Sequence, residues 1–247
     1  MIENNPFSLN EKTVLVTGAS SGIGKAIAQE CAKMGAKLII TARNEERLKD
    51  TLQSLVGNGH QYIIADFSSD DGINDLVKSL PILDGMVHCA GLIKRLPLKF
   101  VNESHLTEIM QTNFFAPALI TQKIYKAKKI QQEGSVVFIS SVATGFASFG
   151  NIMYMASKGA INSLSKGIAF ELATQKIRVN CIEPGMIVTN LTKAISDEEL
   201  AEDVKRYPLG RFGKPEEIGY AAVYLLSNAS KWITGSVIKI DGGLTLR

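Results

Sequence analysis

The chain has 247 residues, 45% of them apolar, and a formal net charge of +3. That length holds one large domain or two small ones with a sizeable core, and so small a charge gives no case for a nucleic-acid partner. Cys31, Cys89 and Cys181 are far apart and odd in number, so no disulfide framework is expected; with no signal-peptide pattern and no apolar run of membrane-spanning length, the expectation is a soluble cytoplasmic protein.

Short apolar runs alternate with amphipathic stretches along the whole chain. A strand is expected over 13–17 (TVLVT), followed by the loop GASSGIG at 18–24 and a helix over 22–34. The second strand, 37–41, leads to a helix over 44–56, and the third, 61–66, to a helix over 70–79. A fourth strand over 85–90 precedes a long helix over 103–129. A fifth, 135–140, precedes a helix over 152–174, and a sixth covers 177–182. The segment 186–214 breaks the rhythm; it is polar and long for a connection, as lids often are. A helix over 215–228 and a strand over 236–241 close the pattern. Strands rich in Val and Ile, apolar throughout, suit a parallel sheet covered on both faces. The pattern predicts an α/β fold of one domain: a doubly wound parallel sheet of about seven strands with helices on both faces. In such a sheet ligands lie beyond the carboxyl ends of the strands, so the residues following each strand carry the chemistry.

After the first strand, Gly18, Gly22 and Gly24 let the backbone turn tightly and approach a pyrophosphate. Ser20, Ser21 and Ile23 lie among them, and the helix N-terminus beyond offers free N–H groups. The bland alternative is a tight turn. The second strand ends at Thr41, where an acid would hold the ribose hydroxyls of NAD, and Arg43 follows with a planar charged fork suited to a 2′-phosphate. Ser20 and Asn44 are placed to add hydrogen bonds there. NADP(H) is therefore the expected cofactor, the alternative for Arg43 being an ordinary surface residue at a helix start. Asp66, after the third strand, is also a candidate helix cap.

Two tyrosines stand four residues before a lysine: Tyr125 before Lys129 and Tyr154 before Lys158. The spacing decides nothing with six tyrosines in the chain. Tyr125 sits in the lysine-rich run QKIYKAKKIQQ and follows no strand. Tyr154 follows a strand, a serine pair (Ser140, Ser141) and a small-residue loop, and opens a helix. Reducing a ketone needs a hydrogen-bond donor at the carbonyl oxygen that then gives up its proton. A lysine one turn from a tyrosine favours the tyrosinate and is expected to lower its pKa. Strand alternation turns Ser140 to the face opposite Ser141. Pro184 and Gly185 shape the loop after the sixth strand, and Ile187 and Thr189 are placed to bond a nicotinamide carboxamide; a simple turn is the alternative. His88 reads as a packed strand residue, and no metal-ligand spacing occurs.

TGASSGIG, AGLI (90–93), TNFFA, SS…YMASK, EPGMIVT and ITGSVIKIDGG, in that order, resemble the short-chain dehydrogenase/reductase family. GRFGKPEEIGYAAVYLLS and the closing DGG are most similar to its 3-oxoacyl-[acyl-carrier-protein] reductases. The resemblance implies a Rossmann-type fold and an NADP-dependent reductase acting on a ketone, with a 3-oxoacyl thioester as the favoured substrate. A dehydrogenase of a sugar, polyol or steroid alcohol is one alternative, and a non-catalytic cofactor-binding regulator another. It implies a catalytic set of Asn113, Ser141, Tyr154 and Lys158, with Lys158 also holding the nicotinamide ribose. Asp66 and Phe67 are implied to meet the adenine, and Ala90 and Gly91 to line the cofactor. It further implies a homotetramer built through the helices near 103–129 and 152–174 and the last strand. The chain departs from the family in two places. His88 and Cys89 stand where Asn-Asn is common, removing a side-chain amide that braces the backbone. Gln132 and Gln175 stand where carrier-protein reductases place basic residues, leaving Lys128, Lys129 and Lys176 as the neighbouring cations. Met186, Leu191 and Tyr207 are the expected apolar walls of the lid.

Overall fold

The computed structural model describes residues 5–189 and 197–246. Seven strands form: β1 (Thr13–Thr17), β2 (Lys37–Ala42), β3 (Gln61–Ile64), β4 (Leu83–His88), β5 (Ile130–Ile139), β6 (Arg178–Pro184) and β7 (Val237–Ile240). They make one parallel sheet in the order β3-β2-β1-β4-β5-β6-β7. The chain leaves the β1 edge for β3 and returns to pair β4 with β1, so the strand order reverses there, which opens a crevice at the carboxyl ends of β1 and β4.

The helices are α1 (Gly22–Lys33), α2 (Glu45–Gln53), α3 (Asp70–Ser79), α4 (Glu103–Met110), α5 (Ala116–Lys126), α6 (Ile152–Leu172), α7 (Asp197–Val204) and α8 (Pro215–Leu226). Strand alternation divides the core in two. Val14 and Val16 pack with Ile27, Leu48, Ile218 and Leu225 under α1, α2 and α8. Leu15 and Ile39 face the other way, against Ile73, Ile120, Ile124 and Ile161 of α3, α5 and α6. Each fully buried Leu or Ile contributes on the order of 1.5–3 kcal/mol relative to exposure. Side-chain caps start three helices: Asn44 accepts from Arg47 N, Ser69 from Gly72 N and Asn102 from His105 N. Ser69 thus takes the capping role considered for Asp66, whose carboxylate instead accepts from Ser68 N and Ser68 Oγ in a local turn.

Carbonyls at two helix C-termini are satisfied by cations from elsewhere in the chain, as unpaired C=O groups and the helix dipole favour. Arg178, only 8% exposed, donates to Leu225 O and Ser227 O at the end of α8. Lys12 Nζ reaches Leu226 O at 2.9 Å. Lys129 Nζ donates to Val77 O, Lys78 O and Leu80 O at the end of α3.

The helix expected over 103–129 is not continuous. It is α4, a π turn over Gln111–Phe115, then α5 with Pro117 in its first turn. A π turn inserts one residue into the helical ladder and rotates the side chains that follow. The segment expected as a lid contains α7, and its two ends are tied: Gly213 N donates to Met186 O and Val188 N to Gly213 O.

His88, on β4, is buried at 4% exposure, stacks on Phe138 with centroids 4.8 Å apart, and lies 2.9 Å from Thr121 Oγ1 through Nε2. Thr121 gives its own proton to Pro117 O, so the histidine is assigned as the donor at Nε2 and its Nδ1 is left bare, with no partner among the described residues. Burial pushes its pKa down from 6.5 to about 3. Above pH 6.5 the ring is neutral in the folded and unfolded chain alike. Between pH 6.5 and 3 only the unfolded chain takes up the proton, so stability falls as pH falls. At pH 5 the loss amounts to about 2 kcal/mol. In urea titrations from pH 7 to 4.5, His88→Leu is expected to show a flatter decline than the parent chain; parallel curves would mean that the ring takes its proton without unfolding.

Candidate active site

The first turn after β1 is shaped by contacts that admit only glycine. Gly18 has φ +67, and a Cβ there would lie 2.6 Å from Ala90 N. A Cβ on Gly24 would lie 2.3 Å from Gly18 O. The loop backbone therefore presses against the end of β4 on one side and the first turn of α1 on the other. Thr17, the last residue of β1, holds this junction: its Oγ1 accepts from Cys89 N at 3.1 Å and Ala90 N at 3.3 Å. This hydroxyl supplies the brace that an Asn side chain would otherwise give at position 89, so the His88-Cys89 departure leaves the backbone secured. Ser21, the residue before α1, makes no side-chain cap. The first-turn N–H groups and the positive end of the α1 dipole thus face the crevice, the donor set an anionic diphosphate requires.

The sheet edge then gathers four side chains. Asn113 lies in the π turn, 1% exposed, where its Oδ1 accepts from Leu92 N at 2.7 Å and its Nδ2 donates to Leu92 O and Ser157 Oγ. The turn swings this side chain out of the helical repeat and onto the segment after β4. Lys158, on α6, donates from Nζ to Ile139 O at 2.8 Å. Gly91 sits between them: a Cβ there would be 3.5 Å from Lys158 Nζ and 3.6 Å from Asn113 Oδ1. Ser141, just beyond β5, caps a short 3-10 turn over Val142–Thr144 by accepting from Ala143 N. Its hydroxyl also hydrogen-bonds the phenol of Tyr154, favouring the ionised form. Ser140 faces elsewhere, donating to Lys158 O.

The acidity of Tyr154 differs from the expectation. Burial pushes it up to about 12, outweighing the Ser141 hydrogen bond. The same burial lowers Lys158 to about 8. The ammonium is 5.7 Å from the tyrosine ring centroid and spends a hydrogen bond on a backbone carbonyl. Desolvation of both groups therefore exceeds their mutual attraction. Cys89, beside them, is a thiol pushed up to about 12 by burial and is no nucleophile at neutral pH. Tyr125 is remote from this cluster; its hydroxyl accepts from Gln175 Nε2 at 2.5 Å on the protein surface.

The other expected cofactor contacts fall along the same edge. Thr41 is fully buried, and its Oγ1 has no partner among the described residues. Arg43 is exposed just beyond it and draws the Asp66 carboxylate by charge. Asn44 spends its Oδ1 on capping α2. Phe67 is buried, and its carbonyl accepts from Gln111 Nε2. Beyond β6, Gly185 N bonds Ile240 O, Ile187 is buried against Gly213, and Thr189 lies against the glycine loop, 3.4 Å from where a Gly22 Cβ would be. Pro184 ends the strand. Met186 and Tyr207 meet, Met186 N donating to the Tyr207 hydroxyl at 3.0 Å, within a small apolar cluster that includes Val142 and Phe146. Leu191 lies outside the described residues. Thr17 and Ser157 were not singled out from sequence. Nothing in their local pattern marks them, because each acts on a segment distant along the chain.

Residues 18–245 match the family model described as enoyl-(acyl carrier protein) reductase. The chain is 35% identical to the 3-oxoacyl-[acyl-carrier-protein] reductase FabG of Chlamydia muridarum, covering 96% of this chain and 98% of that one. It is 33% identical to gluconate 5-dehydrogenase of Gluconobacter oxydans, covering 97% of each. Among solved structures it is similar to the RhlG/NADP active-site complex of Pseudomonas aeruginosa, with a TM-score of 0.90, 34% identity and coverage of 98% and 99%.

Proposed function

Because this chain belongs to the short-chain dehydrogenase/reductase family, we propose that it is an NADP(H)-dependent reductase converting a ketone of a small, free substrate into a secondary alcohol. The observation that carries this reading is the convergence of Asn113, Ser141, Tyr154 and Lys158 beside the Gly18 and Gly91 backbones at one sheet edge. When bound there, NADPH supplies the hydride that the carbonyl carbon accepts. Ser141 holds the carbonyl oxygen, and Tyr154 gives it a proton as negative charge grows. A phenol at about 12 is protonated at neutral pH, the state a proton donor needs. Lys158, fixed on Ile139 O, binds the nicotinamide ribose, and Asn113 keeps the Leu92 segment in place beside it. Arg43 suits a 2′-phosphate, and the uncharged Thr41 sets no carboxylate against it. A cofactor sensor has no use for all four catalytic side chains, which weighs against a regulator.

The substrate reading turns on charge. A carrier protein is acidic and docks on basic residues, and the cations nearest the expected docking positions are occupied here. Lys129 is fixed on three carbonyls of α3, Lys176 pairs with Glu133 at 3.1 Å, and Gln175 bonds Tyr125. That leaves Lys128, too little to hold a carrier, and it favours a free β-keto compound, sugar acid or related ketone over a 3-oxoacyl carrier protein. We place the protein in the cytoplasm as a homotetramer. Trp232 is fully exposed and Phe170 is 86% exposed near the β7 side, which fits burial against other copies; among the described residues no helix is long and apolar enough to cross a membrane. Of the expected lid, Met186 and Tyr207 are the described side chains offered as substrate walls.

Three measurements test this reading. Tyr154→Phe is expected to lower kcat at least about 10²-fold with the NADPH Kd nearly unchanged, while Tyr125→Phe leaves kcat intact; equal losses would remove the assignment. The parent chain should prefer NADPH to NADH, and Arg43→Ala should cut the kcat/KM ratio for the two cofactors by about 10-fold or more, as loss of charge-assisted bonds to a phosphate implies. A parent preference for NADH would refute the phosphate site. In a panel of acetoacetyl-CoA, acetoacetyl carrier protein, keto-sugar acids and simple ketones at several salt concentrations, free substrates should turn over with little salt dependence. Efficient, salt-sensitive reduction of the carrier-bound form alone would reverse the substrate reading.

A further inference from the structure

Glu183 is an acid in an unusual place. It is the last residue before Pro184 on β6, is 2% exposed, and accepts two hydrogen bonds on one oxygen. Oε1 accepts from Thr144 Oγ1 and, at 2.6 Å, from Asn162 Nδ2. Neither donor is charged. Burying a carboxylate on neutral partners is costly, and a well-packed neutral side chain at such a site is commonly as stable or more so. Stability alone therefore gives no account of this residue, and its partners suggest another.

Thr144 closes the 3-10 turn that begins at Ser141; its amide bonds Ser141 O and the Ser141 hydroxyl caps the turn. Asn162 lies on α6 one helical repeat beyond Lys158 and two beyond Tyr154, on the same stripe of the helix. The backbone of Glu183 leads directly into Pro184 and Gly185. One carboxylate oxygen thus joins the turn that sets the Ser141 hydroxyl, the helix that sets Tyr154 and Lys158, and the strand end that opens the loop after β6. Ser141 and Tyr154 must meet the same carbonyl oxygen, and they come from different segments. A misplacement of about 1 Å between such groups costs on the order of 10²-fold in rate.

We propose that Glu183 is a positioning residue for this reaction, a buried carboxylate that fixes the Ser141 turn against the Tyr154–Lys158 helix. The role in turnover rests on the reductase reading above; the tie itself does not. Glu183→Ala, Glu183→Gln and Thr144→Val are compared with the parent chain for kcat on its best ketone from the panel, NADPH Kd by fluorescence, Tm, and hydrogen exchange over residues 141–147. Glu183→Ala should lose about 10- to 100-fold in kcat, while the NADPH Kd stays close to that of the parent and Tm does not fall in proportion. Exchange over 141–147 should accelerate, with residues 13–41 unaffected. Glu183→Gln keeps an amide oxygen able to accept both bonds and should restore most of the rate. Parent-like kcat in Glu183→Ala, equal losses for Ala and Gln, or loss of NADPH binding in step with kcat would each overturn the proposal. If Glu183→Ala fails to fold, Thr144→Val decides, since it removes one donor and leaves the other; parent-like kcat and exchange in that variant overturn the proposal. If the parent reduces no ketone, the reductase reading fails, and exchange over 141–147 alone tells whether the tie exists.

Discussion

The whole site depends on two backbones lying closer than any side chain permits. The turn after β1 touches the end of β4 at Gly18 and Ala90, and the start of α1 touches the turn at Gly24 and Gly18. Those contacts place an uncapped helix N-terminus at the point where the sheet order reverses. They also set Ala90 and Gly91 at the height of the crevice floor. The segment after Gly91 is then in reach of Asn113, which bonds Leu92 through both its amide donor and its acceptor. Through Ser157, whose hydroxyl donates to Tyr154 O, that asparagine is joined to α6. A chain of short polar contacts thus runs from the glycine loop to the tyrosine helix, and the Leu92 backbone is paired at both its N–H and its C=O.

Burial sets the electrostatics of the cluster. Tyr154 and Lys158 are pushed toward their neutral forms, and Cys89 is pushed the same way. The single-turn separation of tyrosine and lysine read as direct tuning of one by the other. The folded chain instead desolvates both and turns the ammonium toward a carbonyl of β5. A low-dielectric site of this kind responds strongly to any added charge, because the same loss of water that shifts both groups strengthens their interaction with an incoming ion. In the proposed reaction the resting cluster acts as a proton donor whose acidity is set by what binds beside it, with no requirement for a preformed tyrosinate.

Much of this was legible in the sequence. Short apolar runs rich in Val and Ile marked all seven strands, and the glycine loop was recognisable because it follows a strand and opens a helix. Context separated Tyr154 from Tyr125 where spacing could not: one follows a strand end, and the other hydrogen-bonds Gln175 at the surface. The π turn at Gln111–Phe115 was not legible, since residues 103–129 carry an ordinary helical pattern and the extra residue in the ladder has no composition of its own. Thr17 as a brace, Lys129 as a helix cap and Glu183 as a buried tie were hidden for a common reason. Each acts on groups 39 or more residues away, except that Asn162 meets Glu183 from 21 residues off, and no local pattern reports a partner at such distances.

The parts that read clearly and the parts that do not correspond to different tasks in the fold. Strands β1, β4 and β5 end in glycine and hydroxyl contacts whose geometry leaves little choice of residue, so that edge is written in short, specific motifs. Beside that edge lie segments outside the sheet, which bound the substrate on the proposed reading: 92–100, 144–150 and the described residues after β6. These are tied at few points, Leu96 N to Gly150 O and Met186 N to Tyr207 among them, and between the ties many side chains satisfy the same backbone. Exposed residues there, such as Phe149 at 87% and Leu98 at 75%, carry little packing constraint and are free to vary with the substrate. Relatives with similar coverage are accordingly described as acting on an acyl thioester or on gluconate. On the proposed reading, the reaction is held by the constrained edge, and the choice of substrate by the walls that the constraint leaves open.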